Sequence, residues 1–422
     1  MNSFLKMLRA RFEGVEAELG DYVPWALDDK VTAYKFVEES GYRPARYARC
    51  GSISEAISIG EKFGQRFLVK QPNRHSSKGI YLLEAIDSHH FINLLDLKKI
   101  SVDEIRTDGP EPDYWLAEEC IDGEIEGKKI PFDYKIYCFW GRPTVIIQID
   151  RNLSPPRVAL FDGSFLPLKQ AEHYEIDAKR WRNGFHVIPS HAPALLSMAT
   201  ELATNTDSPF VSVDCYCTAD GPRFGEFTFA PGAPDVGMIK FSSTVIASLD
   251  RAIGGEKIAP LSGLDIDIDL LHKCITSEKS AFPEISKNYF NYIAGCGSGG
   301  DIRYAKLLTS PVAHSPLQHH FQLAARMVGL LNGDSEQAFF IWNSIYSRRG
   351  FVVGESHISE YEESALSFHK ARALGNPWHS TKAAEIQLAR NEEGALAELE
   401  RLAATGYKHA AHALASYKKR FS

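Results

Sequence analysis

Two runs of alternating polar and apolar residues, separated by an Asp-Gly turn, constrain the fold of this chain more than any other feature. They lie at residues 210–229, FVSVDCYCTADGPRFGEFTF, and predict a pair of antiparallel strands. Because side chains alternate between the two faces of a sheet, Ser212 and Asp214 share one face of the first strand. Glu226 and Thr228 likewise share one face of the second. One face of the pair therefore carries two carboxylates and a hydroxyl, and the other face is apolar.

Two carboxylates held close on a sheet repel each other unless a cation, a shared proton or a basic partner lies between them. Oxygen ligands favour Mg²⁺, which completes its coordination with water and substrate phosphates. We therefore interpret Asp214, Glu226 and Thr228 as a candidate magnesium site. The alternative is a solvated face of an ordinary hairpin. Cys215 and Cys217 point to the apolar face and are interpreted as core residues, not as metal ligands.

A second candidate hairpin lies in FLVKQPNRHSSKGIYLL, where one apolar run ends at Lys70 and another begins after Gly79. The small residues Ser76, Ser77 and Gly79 allow backbone N–H groups to converge on an anion, and Lys70 adds positive charge. The segment therefore predicts a polyphosphate-binding loop, with an ordinary polar turn as the alternative.

The segment WLAEECIDG combines an apolar strand with a cluster of acidic residues. A strand whose backbone groups are left unpaired can bind the edge of an adenine, and Glu118 is placed to accept from its exocyclic amine. Glu124 or Glu126 is a candidate for the ribose hydroxyls. The alternative is a strand followed by a polar turn.

A fourth segment, PFDYKIYCFWGRPTVIIQIDR, places Asp133, Lys135 and Tyr137 on one face of a strand. Lys135 is a candidate for the β- and γ-phosphates of a nucleotide. Arg142, in the turn after the strand, or Arg151 is a candidate for binding an anionic substrate, with a surface position as the alternative for each.

The net charge and the cysteines indicate which partners the protein can bind and in which cellular compartment it is located. A formal charge of −7 and a pI near 6.1 argue against nucleic-acid binding, which depends on clustered Lys and Arg. The seven cysteines are scattered and lack the CxxC spacing of zinc or redox sites. With neither a signal peptide nor a long apolar run in the sequence, we expect reduced thiols, a cytoplasmic location and no transmembrane segment.

Composition changes along the chain and predicts an α+β body followed by an all-α domain that resembles tetratricopeptide-like helical repeats. The repeat signal is the pair NGDSEQAFFIW and RNEEGALAELE, each of which follows one predicted helix and opens another. Phe4, Leu5, Leu8 and Phe12 share a helical face, which indicates a helix docked on its own domain or, alternatively, on a membrane surface. The predicted divisions are an N-terminal helix (1–27), a first lobe (28–117), a second lobe (118–250), a linker (251–310) and a helical domain (311–422).

Taken in order, these motifs resemble the ATP-grasp superfamily, and within it the TupA-like group associated with teichuronopeptide and other surface-polysaccharide biosynthesis. The resemblance covers about residues 28 to 240. DYKIYCFWG and GEFTFAPGAP are similar to two long segments of that group, which makes them more specific than any single motif. The resemblance implies two lobes that hold ATP between antiparallel sheets.

The resemblance also implies roles for individual residues. Lys30, within the DK that opens a predicted helix, would contact the α-phosphate, and Lys70 would be the second nucleotide lysine. SSKG (76–79) matches the flexible phosphate loop. The hinge that holds adenine would be formed by Glu118 and by the backbone of Glu119, Cys120 and Ile121, and Mg²⁺ would be bound by Asp214 and Glu226.

Two positions depart from the common pattern of the superfamily. Thr228 stands where many members carry an asparagine that binds metal, and Ser212 stands where many carry an arginine that steadies the reacting group. Lys135 or Arg142 would then have to supply the missing positive charge.

The activity that the resemblance implies is an ATP- and Mg²⁺-dependent ligase joining a carboxylate to an amine through an acyl phosphate. The suggested substrates are a uronic-acid polysaccharide, or its precursor, and an amino acid, with a protein partner as a possible ligand of the helical tail. Three alternatives remain open from the sequence: a kinase that phosphorylates a sugar hydroxyl, a ligase that modifies a peptide, and an inactive helical-repeat scaffold.

Overall fold

The computed structural model of the chain describes residues 3–14, 22–72, 79–87, 89–105, 112–125, 128–184, 186–232, 239–264, 268–269, 366–367 and 369–421. The chain divides into two compact units, Met1–His272 and Lys273–Ser422, which are described separately. The first part of the first unit contains α1 (Phe4–Glu13), a short 3-10 helix (Trp25–Asp28), α2 (Lys30–Glu39), β1 (Tyr47–Cys50), α3 (Ile53–Phe63), β2 (Arg66–Lys70), β3 (Ile80–Ala85), β4 (His90–Asn93), β5 (Lys98–Ser101), a 3-10 turn (Val102–Glu104) and β6 (Trp115–Glu119).

Strands β1 to β6 form one antiparallel sheet in the order β1-β6-β2-β3-β4-β5. On one face, Phe67, Val69, Trp115 and Ala117 are buried in a core that includes residues of α3. This follows from the alternation of apolar residues along β2 and β6. The opposite face of the same two strands carries Lys70 and Glu118 beside leucines, so that charged groups are placed over an otherwise apolar surface.

The rest of the first unit contains β7 (Asp133–Phe139), β8 (Arg142–Asp150), β9 (Arg157–Asp162), β10 (Tyr174–Ile176), β11 (Arg182–Asn183), α4 (Ala192–Asn205), β12 (Phe210–Thr218), β13 (Gly221–Thr228), β14 (Ile239–Phe241) and α5 (Ser243–Ile253). A second six-stranded sheet has the order β11-β9-β8-β7-β12-β13, antiparallel except for the β11–β9 pair. Strands β12 and β13 are the hairpin predicted from residues 210–229, which is confirmed. The two sheets and the helices between their strands confirm the predicted α+β architecture.

The N-terminal helix α1 packs into the core of the second sheet. Phe4 and Leu8 are buried there beside Phe139 and Phe210, and the guanidinium of Arg11 donates at 2.9 Å to the carbonyls of Phe210 and Phe229. The prediction of a helix docked on its own domain is therefore confirmed.

The predicted apolar face of α1 is only partly correct. Phe4 and Leu8 are buried, but Phe12 is 59% exposed, because the buried side of the last turn is occupied by Arg11. No helix among the described residues is both long enough and apolar enough to cross a membrane.

The described part of the second unit is helical, with α6 (Pro377–Ala389), α7 (Ala395–Ala404) and α8 (Lys408–Phe421) packed in succession. Ala384, Leu399, Leu402 and Ala410 form its core. RNEEGALAELE does end one helix and open another, as predicted, whereas NGDSEQAFFIW and most of the predicted linker lie outside the described residues. The tetratricopeptide-like assignment and the detailed domain boundaries stay predictions.

Candidate functional site

Asp214 and Glu226 lie directly opposite each other on β12 and β13. On its other side Asp214 lies opposite Lys135 of β7, and the ammonium of Lys135 forms an ion pair with its carboxylate. Ser212 donates a hydrogen bond of 2.8 Å to the other oxygen of Asp214. The predicted face with two carboxylates therefore exists, and it includes a lysine from the neighbouring strand. Thr228 lies opposite Ser212, one side-chain position along from Glu226.

Lys30 reaches this cluster from the start of helix α2 and forms an ion pair with Glu226. Asp29 caps the helix by accepting from the backbone N–H of Thr32 at 2.9 Å, and it also accepts from the hydroxyl of Tyr114 at 2.6 Å. A cation at a helix N-terminus is unfavourable because it opposes the helix dipole. The buried position of Lys30 thus requires the carboxylate of Glu226 and points to a functional role.

Lys70 and Glu118 face the same region from the first sheet. The Lys70 ammonium lies 2.6 Å from Glu118 Oε1, and the Tyr34 hydroxyl of α2 donates to Glu118 Oε2 at 2.6 Å. Both oxygens of Glu118 therefore have partners within the protein. The contact predicted between Glu118 and an adenine amine stays a prediction.

The charges of both lobes influence one another. Burial favours the neutral form of Glu226, but Lys30, Lys135 and Lys70 outweigh that effect and hold the pKa of its carboxyl well below the usual range. Lys30 and Lys135 are buried, which disfavours their charge, yet nearby carboxylates raise the pKa of both ammonium groups. These three lysines therefore act on one site.

Asp214 differs from Glu226 in its protonation. Burial, together with the negative charges of Asp133 and Glu226, raises the pKa of Asp214 to about 7, although Lys135 opposes the shift. Two carboxylates that face each other thus have pKa values displaced in opposite directions, a pattern found at sites that bind cations or transfer protons.

Of the residues predicted for the phosphate loop and the ribose, the structure describes only some. Gly79 has a φ of 62°, and its carbonyl accepts from the backbone N–H of Gln71 at 2.9 Å, so it closes the base of the predicted phosphate loop. Ser76, Ser77 and Glu126 lie outside the described residues.

The predicted hinge comprises the last two residues of β6, Glu118 and Glu119, and the two residues that follow them. Glu119 accepts from the backbone N–H of Arg46 at 2.9 Å, Cys120 is half-buried, and Ile121 is buried. Burial raises the pKa of the Cys120 thiol to about 11, which keeps it protonated at neutral pH. Glu124 accepts from the backbone N–H of Ser190 at 3.0 Å, so this carboxylate too has a partner within the protein.

Arg142 is the predicted residue that the structure does not bring to the cluster. It donates to the carbonyl of Gly255 at 2.8 Å and lies opposite Phe139, at the far end of β7 from Lys135. Lys135 lies opposite Ile147, five residues along β8, or roughly 17 Å at about 3.4 Å per residue. The sequence alone could not show this, because the distance of a turn residue such as Arg142 from the site depends on strand length and register.

Two residues at the site were not identified from the sequence: Tyr34, which donates to Glu118, and Tyr216, which shares the face of Asp214. Tyr216 had a local signal, because it continues the alternation that begins at Ser212, whereas Tyr34 reaches the site through tertiary packing. Arg151, the alternative to Arg142 as a candidate for an anionic substrate, lies 3.5 Å from the carboxylate of Asp133.

The donor set suits a hard cation that brings some of its own ligands. Among the described residues, no group of three or more His, Cys, Asp or Glu side chains is arranged to hold a metal ion. Asp214 and Glu226 supply two carboxylates, which is the number Mg²⁺ ordinarily takes from protein when phosphates and water complete its octahedron.

Lysines and paired carboxylates from two six-stranded sheets therefore converge on one site. The family model described as TupA-like ATPgrasp matches residues 16–254, more than half of the chain. The chain belongs to this family. The match confirms the resemblance drawn from the sequence motifs.

Several solved structures are similar to the chain at low identity. One is the ATP-grasp ligase PsnB complexed with a phosphomimetic variant of its minimal precursor, Mg and ADP, at 12% identity and a TM-score of 0.32, covering 59% of this chain and 65% of that chain. Another is D-alanine–D-alanine ligase from Bacillus anthracis, at 15% identity and a TM-score of 0.33, covering 54% of this chain and 65% of that chain. A third is the ADP complex of N5-carboxyaminoimidazole ribonucleotide synthetase, at 14% identity and a TM-score of 0.31, covering 56% of this chain and 53% of that chain.

The chain spans less than two thirds of the length of each of these three structures. No curated protein matches its sequence.

Proposed function

We propose that this protein is an ATP- and Mg²⁺-dependent ligase that joins a carboxylate to an amine through an acyl phosphate. The observation that carries the proposal is the pairing of Lys30 with Glu226 and of Lys135 with Asp214, at a site to which Lys70 contributes from the other sheet. Membership of the ATP-grasp family supports the same reaction class.

Asp214 and Glu226 are the residues proposed to hold Mg²⁺, since they face each other and supply oxygen donors. When bound, Mg²⁺ would neutralise charge on the phosphates and orient them for transfer. Each carboxylate would give up a lysine in exchange. The freed ammonium groups of Lys30 and Lys135 would then be available to phosphate oxygens.

The proposed reaction has two steps. An oxygen of the substrate carboxylate attacks the γ-phosphorus as the bond to the β-phosphate breaks, which gives an acyl phosphate and ADP. The amine nitrogen then attacks the acyl carbon as the bond to the phosphate oxygen breaks, which gives an amide, phosphate and a proton. The protein contributes positioning and fixed charge, which account for most catalysis of phosphoryl transfer.

The finer assignment follows the resemblance to the TupA-like group drawn from the sequence motifs. We propose that the acid is a carboxylate of a surface polysaccharide or of its precursor, and that a protein partner binds the helical tail. We also propose a cytoplasmic location, in agreement with the free thiols of the described cysteines and with the need for ATP.

Thermal melting of the full chain with ATP plus Mg²⁺, ATP plus EDTA, and Mg²⁺ alone tests the nucleotide site, because a ligand of the native state raises the midpoint. We expect a rise that requires both ATP and Mg²⁺ and that is lost in Lys70→Ala. An unchanged midpoint at millimolar ATP would favour an inactive scaffold instead.

The reaction class is tested by ADP release with a panel of uronic acids and amino acids, and by replacing the amine with hydroxylamine. A ligase yields a hydroxamate, since hydroxylamine intercepts the acyl phosphate. A phosphorylated product that survives hydroxylamine would identify a sugar kinase.

A further inference from the structure

Asp133, the first residue of β7, has one carboxylate oxygen that the rest of the site does not use. Its side chain is 8% exposed, and Oδ2 faces two cations, with Lys135 Nζ at 3.4 Å and Arg151 Nη2 at 3.5 Å. Oδ1 is buried and has no hydrogen-bond partner among the described residues. A buried carboxylate oxygen without a donor is unfavourable, so Oδ1 has the capacity to accept from a donor that the described residues do not supply.

The position of Asp133 relates this oxygen to the proposed phosphate site. Asp133 and Lys135 lie on the same face of β7, and Lys135 contacts Asp133 and Asp214 at once. A row of charged groups therefore runs along this face, from Glu226 through Asp214 and Lys135 to Asp133. Beyond Asp133, Arg151 is 27% exposed at its side chain, which leaves that end of the row open to solvent.

We propose that Asp133 binds the amine co-substrate through Oδ1 and accepts a proton from it. The ligand class is a primary ammonium, because it brings N–H donors to an anionic oxygen that has none among the described residues. The strand neighbours Tyr216 and Ile149 carry no charge, and the two cations near Asp133, Lys135 and Arg151, contact Oδ2. The inference rests on the proposed ligase function and assigns a residue to its second step.

The proton balance of that step is as follows. The ammonium gives one proton to Oδ1 of Asp133, which leaves a neutral amine with a free electron pair. That pair forms the C–N bond as the bond between the acyl carbon and the phosphate oxygen breaks, and the phosphate leaves with the bonding electrons. The nitrogen then loses a second proton to the departing phosphate, and Asp133 returns its proton to solvent.

The test compares amines that have N–H donors with matched cations that lack them, so it does not require knowledge of the acid. The full chain, saturated with Mg²⁺ and the non-hydrolysable ATP analogue AMPPNP, is melted with methylammonium or tetramethylammonium chloride and with glycine or betaine. A ligand at about twice its Kd makes the folding equilibrium about threefold more favourable. We expect methylammonium and glycine to raise the midpoint above that seen with their methylated counterparts.

Asp133→Asn keeps the shape of the side chain and removes its charge, and should abolish this difference. Asp150→Asn is the matched control, because Asp150 is also a buried strand aspartate but its oxygens are bound by Lys128 and Asn152 at 2.9 Å. It should keep the difference. The comparison within the wild type stands on its own if Asp133→Asn does not fold.

Equal midpoints for the N–H and methylated cations in the wild type would overturn the amine assignment, as would an amine response retained in folded Asp133→Asn. The absence of any shift with Mg²⁺ and AMPPNP would instead overturn the ligase function on which the assignment rests. The two failures are therefore distinguishable in one set of melts.

Discussion

Replacing Lys70 by methionine should destabilise the first unit, because it leaves the buried carboxylate of Glu118 without its counter-ion. The side chains of Lys70 and Glu118 are 9% and 7% exposed and lie 2.6 Å apart. Removing one partner of a buried ion pair costs roughly 3–5 kcal/mol. Tyr34 continues to donate to Glu118, and a hydrogen bond to a charged group is worth about 1.5–3 kcal/mol, so we expect a loss near the lower limit, about 3 kcal/mol.

Urea denaturation followed by tryptophan fluorescence measures this loss as a change in the free energy of unfolding. Lys129→Met is the matched control, because Lys129 also pairs with a glutamate, Glu84 at 2.7 Å, but its side chain is 57% exposed. An exposed pair contributes at most about 1 kcal/mol. Adding Glu118→Gln to Lys70→Met should recover about 1–2 kcal/mol, since it removes the stranded charge.

Two results would refute this reasoning. A loss for Lys70→Met no larger than that for Lys129→Met would mean that the Lys70 pair is effectively solvated. A further loss on adding Glu118→Gln would mean that the ion pair is not what stabilises these two side chains.

Three further predictions concern the site and the N-terminal helix. Glu226→Gln should lower Mg²⁺-dependent ADP release at least about 100-fold while leaving ATP affinity within a few-fold, because it removes a proposed metal ligand, and full turnover would exclude that role. Because the fold raises the pKa of Asp214 to about 7, its carboxyl is mostly protonated below pH 7. That proton must leave before the carboxylate can bind a metal ion. Affinity for Mg²⁺ with ATP should therefore rise as pH increases from 6 to 8, up to about tenfold per unit below the pKa, and calorimetric titration should show a flatter profile in Asp214→Asn. Arg11→Met should lower the free energy of unfolding by about 2–4 kcal/mol because it strands two buried carbonyls, whereas Lys6→Met, at an exposed position of the same helix, should be nearly neutral in the same urea titration.

Local sequence patterns were sufficient to predict the β12–β13 hairpin and the face that carries Asp214 and Glu226. The pattern has a period of two residues, and pairing across a short turn fixes which side chains are neighbours. The same logic placed Lys135 on the face of Asp133. The ATP-grasp fold was predicted from the resemblance of these motifs, in their order along the chain, to that superfamily.

Pairings between distant segments could not be predicted in this way. Lys30 and Glu226 are separated by 196 positions, and their contact depends on how α2 packs against β13. The pairing of β12 with β13 shifts register between Asp214 and Cys215, and the alternation of residues does not predict this shift. Gly225 is its local signal: a Cβ atom there would lie 3.0 Å from the carbonyl oxygen of Asp214. Arg142 illustrates the opposite case. Its charge suggested a role at the site, but the lengths of β7 and β8 place it far from Lys135.

The docking of α1 has a consequence for the order in which the first unit is built during synthesis. The backbone N–H of Phe4 donates to Asp250 of α5 at 2.8 Å, and both helices complete the core of the second sheet. Phe4 leaves the ribosome early, yet its partners in β12 and α5 are made some 200 residues later. Until then the apolar side of α1 has no native surface to pack against. Apolar surface that is exposed during synthesis promotes aggregation. We therefore expect chains arrested before α5 to be retained by chaperones or degraded, and chains extended past it to acquire protease resistance in a single step.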